Sequence, residues 1–271
     1  METKYEYSKA EIEKNINTKW VGKSVVFFDN TDSTNLVAIE LGRDGNVNGT
    51  LVVADAQSQG KGRRGRSWSS PAGKDIYMTL MLRPFCRIES ASALTLVMAL
   101  SVLEAVSENA CVNPLIKWPN DIVLNEKKLC GILTEMHLEQ DNSFFIVIGV
   151  GINCNQTDFV EEISNNATSL FLETQRYTDR AKLIGSIMEC FERNYENFEK
   201  TQDLSGLYQK YNDFLVNADR EVRVLEPSGE YNAVAKGINK NGELIVSRID
   251  NGELTAVYAG EVSVRGIYGY V

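Results

Sequence analysis

The stretch from Phe144 to Val150 reads FFIVIGV and contains no polar side chain. It is strand-length rather than helix-length, and without polar alternation it has no face to turn toward water. Both faces must therefore be covered, which places it in the middle of a sheet with helices against it. At 271 residues the chain is long enough to build such a sheet and a second, smaller unit. With 43% hydrophobic and 24% charged residues, 20 Gly and 5 Pro, collagen-like, low-complexity and wholly disordered readings are excluded.

Around that strand the pattern alternates between strands and helices. A short polar helix is predicted over 9–19 and a first strand over Ser24–Asp29. Asp32-Ser33-Thr34-Asn35 then offers N-cap oxygens to a helix carrying Leu36, Val37, Ile39 and Leu41, which runs out at Asp44-Gly45. Strands follow at 50–56 and 76–82, separated by a long polar Gly-rich loop over 57–75. An apolar helix over 90–109 leads to a strand at Leu115–Trp118 that Pro119 halts. A hairpin is expected next, with arms 121–124 and 128–138 joined at Asn125-Glu126-Lys127. Helices are predicted over 179–200, with Ile184, Ile187, Met188, Phe191, Tyr195 and Phe198 on one stripe, and over 203–215.

From Asp219 short strands are punctuated by Pro227-Ser228-Gly229, Lys240-Asn241-Gly242 and Asp250-Asn251-Gly252, the last two being strong hairpin signals. This texture predicts a small β-barrel after a boundary near residue 217. The chain thus divides into a helical extension (1–23), a mixed α/β domain (24–217) and a barrel (218–271), with no internal repeat.

A net charge of −9 repels nucleic acid and anionic membranes unless a basic patch is kept locally. Five scattered cysteines without a C-x-x-C pair fit reduced thiols rather than a disulfide framework or zinc site. Met1 to Trp20 has no apolar signal region, and no 18-residue apolar run free of charges occurs, so a cytoplasmic location and no membrane partner are expected.

Gly60-Lys61-Gly62-Arg63-Arg64-Gly65-Arg66 threads four cations among three glycines. Glycine lets backbone approach an oxyanion, and guanidinium groups grip phosphate or carboxylate bidentately. A solvated charge run or a nucleic-acid loop remains the alternative for this segment alone. It is not a dinucleotide fingerprint, because no helix opens inside it and Leu80 stands where the ribose-binding acid belongs. Nor is there a P-loop, since Gly73-Lys74 is followed by Asp75. Lys117-Trp118-Pro119-Asn120-Asp121 presents a lysine, an amide and a carboxylate on a rigid extended corner, or is a simple polar turn. Lys128, opening K-L-C-G-I-L-T-E, lies across the hairpin from it, so two lysines and an aspartate converge. Gly149-Val150-Gly151-Ile152-Asn153 ends the apolar strand with glycines that admit a flat ring, or form a strand-end bulge. His137 is the sole histidine, a weak candidate for a triad or a metal site, and the cysteines read as core residues.

Taken in order, D-S-T-N (32–35), G-K-G-R-R-G-R-S-W (60–68), K-W-P-N-D (117–121), K-L-C-G-I-L-T-E (128–135) and G-V-G-I-N (149–153) resemble the biotin protein ligases. The resemblance implies a mixed α/β catalytic domain of the class II aminoacyl-tRNA synthetase and biotin synthetase type, followed by an SH3-like β-barrel. It implies that biotin and ATP, with Mg²⁺, give biotinyl-5′-adenylate, and that a lysine of a biotin carboxyl carrier protein then attacks it. By resemblance Ser33, Thr34, Asn35, Gln57 and Gly131 surround biotin, Lys61, Gly62 and Arg63 close over it, and Lys128 reaches its carboxylate. Gly60, Arg64, Gly65, Arg66, Trp68, Lys117, Asn120 and Asn153 fall to ATP and the adenylate, with Arg63, Lys117, Asp121 and Lys128 catalytic and Asp121 holding Mg²⁺. The loop is expected to fold over its ligands and exclude water from the labile adenylate.

Two departures stand out. Lys61 replaces the arginine of the commonest family loop, keeping the charge but losing the bidentate fork. Only 23 residues precede Ser24, so no helix-turn-helix domain and no DNA partner are expected; a homodimer is an open expectation. The competing readings are a lipoate or octanoate ligase, a biotin-responsive regulator without catalysis, and a nucleic-acid-binding module.

Overall fold

The computed structural model describes residues 5–226, 229–259, 263–266 and 270. Seven strands form the larger sheet: β1 (Val25–Phe28), β2 (Thr50–Ala54), β3 (Ile76–Leu82), β4 (Leu115–Lys117), β5 (Asp121–Leu124), β6 (Lys127–Leu138) and β7 (Phe144–Ile152). Their order is β1-β2-β3-β7-β6-β5-β4, with β1 and β2 parallel and every other pair antiparallel. The apolar strand β7 is central, as its composition requires.

Among the described residues seven α-helices accompany the sheets: α1 (Lys9–Asn15), α2 (Thr34–Arg43), α3 (Ala93–Ala110), α4 (Glu161–Ser164), α5 (Leu170–Thr174), α6 (Arg180–Thr201) and α7 (Tyr208–Asp213). Alternate residues of the central strands sort onto two faces. Leu51, Val53, Ile146 and Ile148 join α3 and α6 in the main core, whereas Val52, Phe145 and Val147 pack under Ala38 and Ile39 of α2. The α2 contact is close: a Cβ at Gly42 would stand 2.4 Å from the Phe145 ring. Helix α3 has the length and apolarity of a membrane span, yet its side chains are buried in this core. Its Glu104 pairs there with Arg193 and Lys210.

Two helices are shorter than their sequence predicts. Helix α1 stops at Asn15 rather than near residue 19: Ile16 is already extended, and the segment beyond is held elsewhere, Lys19, Trp20 and Val21 all donating backbone N–H groups to the Glu192 carboxylate on α6. The helix expected over 203–215 is reduced to α7, and Val216 instead donates to the Ile116 carbonyl beside β4.

The second sheet comprises β8 (Glu221–Glu226), β9 (Gly229–Ile238), β10 (Leu244–Arg248), β11 (Leu254–Val257) and β12 (Ser263–Gly266), antiparallel in the order β11-β10-β9-β8-β12. Gly242 and Gly252 turn its hairpins with φ of 82° and 74°. Of the turn expected at 227–229, Pro227 and Ser228 lie outside the described residues.

Trp118 joins the two sheets. It is fully buried, takes the Asn217 side-chain oxygen on its backbone N–H at 3.0 Å, and donates its indole N–H to the Gly242 carbonyl at 3.0 Å. Trp118→Phe leaves that buried carbonyl unpaired and is expected to cost about 1–3 kcal/mol, read by urea unfolding of the whole chain; an unchanged midpoint would show that the brace carries no weight.

Candidate active site

The site is built where the helix-covered face of the large sheet is stripped of side chains. Gly131 pairs with Gly151 across β6 and β7, and Gly149 follows on the same face. A Cβ at Gly149 would fall 2.1 Å from Asn35 Oδ1, and one at Gly151 would fall 2.5 Å from the Trp68 ring. Only glycine admits these neighbours. Helix α2 begins directly over the patch. Ser33 is its N-cap residue, buried, but its hydroxyl makes no cap bond and lines the cavity instead. Thr34 donates from N and Oγ1 to Gln57 Oε1 at 2.9 and 3.1 Å, and Gln57 Nε2 donates to Ser70 Oγ at 2.9 Å. Thr79 Oγ1 lies 2.8 Å from Thr34 Oγ1 and 2.7 Å from Asn35 Oδ1, while Asn35 Nδ2 donates to Glu135 at 2.7 Å. Ser33, Thr34, Asn35 and Gln57 line, with the three glycines and Trp68, a slot of about 50 Å³.

The cationic loop is a folded hairpin. Gly62 N–H bonds the Arg66 carbonyl at 2.7 Å, and Trp68 N–H bonds the Gly60 carbonyl at 2.8 Å. The tip turns at Arg64 and Gly65 with φ of 58° and 72°. Arg63 uses both arms of its fork on the protein, donating to Asn120 Oδ1 at 2.8 Å and to the carbonyl of Ala259, just beyond β11, at 2.7 Å. Burial lowers its guanidinium below the ordinary value, opposed by Asp121.

At the β4–β5 corner the expected convergence is present. Lys128 Nζ sits 2.7 Å from Asp121 Oδ1, and Tyr270 donates its hydroxyl to Asp121 Oδ2 at 2.6 Å. Lys117 donates to the Tyr270 carbonyl and lies 3.6 Å from that ring's centroid. Burial pulls Lys117 down to about 8, with Asp121 opposing and Lys128, Arg265 and Arg66 reinforcing.

Behind the corner opens a cavity of about 700 Å³. Arg63, Arg64, Arg66, Lys117, Lys128, Arg223 and Arg265 line it against two carboxylates, Asp75 and Asp121. In a chain of net charge −9 this is a local reversal of sign. Arg223 and Arg265 stand directly opposite each other on β8 and β12, a repulsive pairing unless an anion lies between them. They were not singled out from the sequence, where their only signal is a cation alternating with valines at 222–224 and beside Val264.

The residues expected at the site divide between the two cavities and their supports. Gly60 and Gly65 line neither cavity: Gly60 packs on the Trp68 carbonyl at the hairpin base and Gly65 turns its tip. Asn120 lines both cavities, and its side chain also accepts from Arg63 and donates to the Ile132 carbonyl and to Asp121. Asn153 lines the larger cavity while its Nδ2 donates to the Thr168 carbonyl at 2.9 Å. Gly62, Arg63, Trp68, Asn120 and Lys128 line both cavities. Both Asp121 oxygens have protein partners, Lys128 and Tyr270, and among the described residues no group of three or more His, Cys, Asp or Glu suited to a metal occurs. His137 stacks on Phe145 and lines neither cavity, and burial raises the Cys130 and Cys154 thiols, which suits core residues.

Asp75 went unnoticed in the sequence. It is buried at the cavity wall, accepts the Cys154 N–H at 2.8 Å, and burial pushes its carboxyl up to about 6 despite that bond and Arg180. Between the ordinary value of 3.8 and about 6 the folded chain holds a proton the unfolded chain has lost. Stability from this group is thus present at low pH and lost as pH rises through about 6. Asp75→Asn keeps the acceptor and removes the titration, so melting temperatures of wild type and variant should diverge in the variant's favour across that window. Parallel profiles would refute it.

Residues 27–153 match the Biotin/lipoate A/B protein ligase family, and residues 219–265 the Biotin protein ligase C terminal domain. The bifunctional ligase/repressor BirA of Bacillus subtilis is 34% identical over 259 residues, covering 95% of this chain and 79% of that protein. The biotin–[acetyl-CoA-carboxylase] ligase of Mycobacterium tuberculosis is 29% identical, covering 86% of this chain and 85% of its own length. Among solved structures, the biotin protein ligase of Aquifex aeolicus in complex with biotin and ATP superposes with a TM-score of 0.78 at 30% identity, over 90% of this chain and 99% of that one. The fold and the paired cavities define an ATP-dependent ligase. The chain belongs to the biotin protein ligase family.

Proposed function

We propose that the chain activates biotin as biotinyl-5′-adenylate and transfers it to a lysine of a biotin carboxyl carrier protein. The observation that carries this reading is the sharing of Arg63, Trp68 and Lys128 between a bare, amide-lined slot and a cation-lined cavity. One suits a flat apolar ring with a polar edge, and the other suits a triphosphate. The bicyclic ring of biotin lies on the glycine patch, its ureido group met by the uncapped Ser33 hydroxyl and by Thr34 and Gln57. At about 50 Å³ the slot is well below the roughly 300–1,000 Å³ of ordinary ligand pockets, so Trp68 swings aside as the ring enters.

The carboxylate then points toward Lys128, and ATP occupies the larger cavity with its adenine toward Asn153. A carboxylate oxygen attacks the α-phosphorus, the bond to the β-phosphate's bridging oxygen breaks, and pyrophosphate leaves with that electron pair. Two anions must approach each other, and Arg63, Lys117 and Lys128 screen them while neutralising charge on the phosphoryl oxygens. Arg223 and Arg265, relieved of mutual repulsion, meet the departing phosphates. In the second step the carrier's neutral amine attacks the acyl carbon and AMP departs. The hairpin keeps water from the mixed anhydride in between.

ATP–pyrophosphate exchange with Mg²⁺ in the assay tests the first step. Exchange should appear with biotin and stay at background with lipoate, octanoate or no acid; exchange with lipoate alone would sink the assignment. Arg63→Ala and Lys128→Ala should lower the rate about 10²–10³-fold with melting curves near wild type.

Lys117 gives a pH signature. Free, it loses its proton above about 8; beside phosphate it keeps it, so ATP binding at higher pH takes up a proton. KM for ATP should climb above pH 8, by up to about tenfold per unit, and Lys117→Arg should flatten the rise. A flat wild-type profile to pH 9.5 would remove Lys117 from the phosphate site.

A further inference from the structure

The loop that carries the cationic hairpin leaves the sheet at Asp55 and returns at Asp75, and one buried side chain holds both ends. Arg180, the first residue of α6, donates from Nη1 to Asp55 Oδ1 at 2.7 Å and to the Asp75 carbonyl at 3.0 Å. The Tyr7 ring centroid lies 3.6 Å from the guanidinium carbon and covers it. From there the contacts run to the wall of the larger cavity. Asp75 Oδ1 accepts the Cys154 N–H at 2.8 Å, and the Asn155 N–H bonds the Lys74 carbonyl at 3.0 Å. Asn153, one residue earlier, lines the cavity alongside Asp75.

The biotin side is braced by other groups. Gln57 donates its backbone N–H to the Ser70 carbonyl at 3.1 Å, and its side chain is held by Thr34 and Ser70. Arg180 is thus connected to Asn153 through Asp75 and Cys154, whereas Gln57 has its own partners in Thr34 and Ser70.

We propose that Arg180 is a positioning residue for the nucleotide: by pinning Asp55 and Asp75 it sets where the Asn153 strand end stands in the larger cavity, and so governs retention of ATP and adenylate without a part in biotin recognition. This rests on reading the larger cavity as the nucleotide site. The physical ground is that small displacements of a positioned group cost far more in reaction than in folding.

The test uses the full chain and three variants. Arg180→Ala strands two acceptors and is checked for folding by its melting curve. Asp55→Asn removes only the charge partner, and Arg180→Lys keeps the charge but cannot reach both acceptors while lying flat beneath Tyr7. Biotin-dependent ATP–pyrophosphate exchange gives KM for ATP and kcat, calorimetry gives the Kd for biotin, and filtration gives the half-life of bound adenylate. In Asp55→Asn, KM for ATP should rise about tenfold and the adenylate half-life should shorten, with biotin Kd unchanged and kcat altered less than KM. Arg180→Lys should recover part of the loss seen in Arg180→Ala. A lower melting temperature with wild-type KM for ATP would make the cluster merely structural and overturn the proposal. Equal losses of biotin and ATP affinity would also overturn it, because the brace would then serve the whole loop. Absence of exchange in the wild-type chain would instead bring down the nucleotide reading and this proposal with it, so the two failures are told apart.

Discussion

The site depends on a place where a sheet has no side chains. Gly131, Gly149 and Gly151 sit together on the face that α2 covers, and each stands so close to Asn35 or Trp68 that a methyl group would collide. Sheets ordinarily fill such a face with packed residues, as Phe145 and Val147 do one turn of the pleat away. Ending that packing at Gly149 costs buried apolar area, and the α2 N-terminus makes up for it with hydrogen bonds instead. Asn35 reaches Thr79 and Glu135, Thr34 reaches Gln57, and Gln57 reaches Ser70. The floor of the slot is thereby rigid and polar at one edge and bare in the middle.

The second constraint is electrostatic. Cations that repel one another must be held together, and the structure does this by giving each a different anchor. Lys128 pairs with Asp121, Lys117 rests on Tyr270, and Arg63 spans Asn120 and Ala259. Two of these anchors belong to the C-terminal part of the chain, which also supplies Arg223 and Arg265 to the cavity wall. The small sheet is therefore part of the site's electrostatics, and Trp118 fixes its distance from the β4–β5 corner.

What the sequence made legible follows from range. The central position of β7, the hairpin that brings Lys128 to Asp121, and the glycine-rich cationic loop are all encoded within a few residues of themselves. Contacts between distant segments were not legible. Glu192 holds the segment after α1 from 171 to 173 residues away, and Arg180 reaches Asp55 across 125 residues. Single charged residues such as Asp75 and Arg223 carry no local pattern that separates them from surface charges. Their roles arise only when folding buries one and places the other opposite Arg265.

The same distinction bears on Lys61, which stands where the sequence resemblance leads one to expect arginine. In this hairpin the residue that needs a planar fork is Arg63, which satisfies two acceptors in separate parts of the chain at once. Lys61 is exposed at the mouth of the smaller slot, and its backbone pairs with Ser67. A position of that kind asks for a mobile positive charge rather than a fixed geometry, and an ammonium on a flexible stem supplies it. The loop's shape is set by the bonds from Gly62 to Arg66 and from Trp68 to Gly60, neither of which involves the side chain at 61. The substitution therefore changes the reach of one charge and leaves the fold of the loop, and the grip of Arg63, as they are.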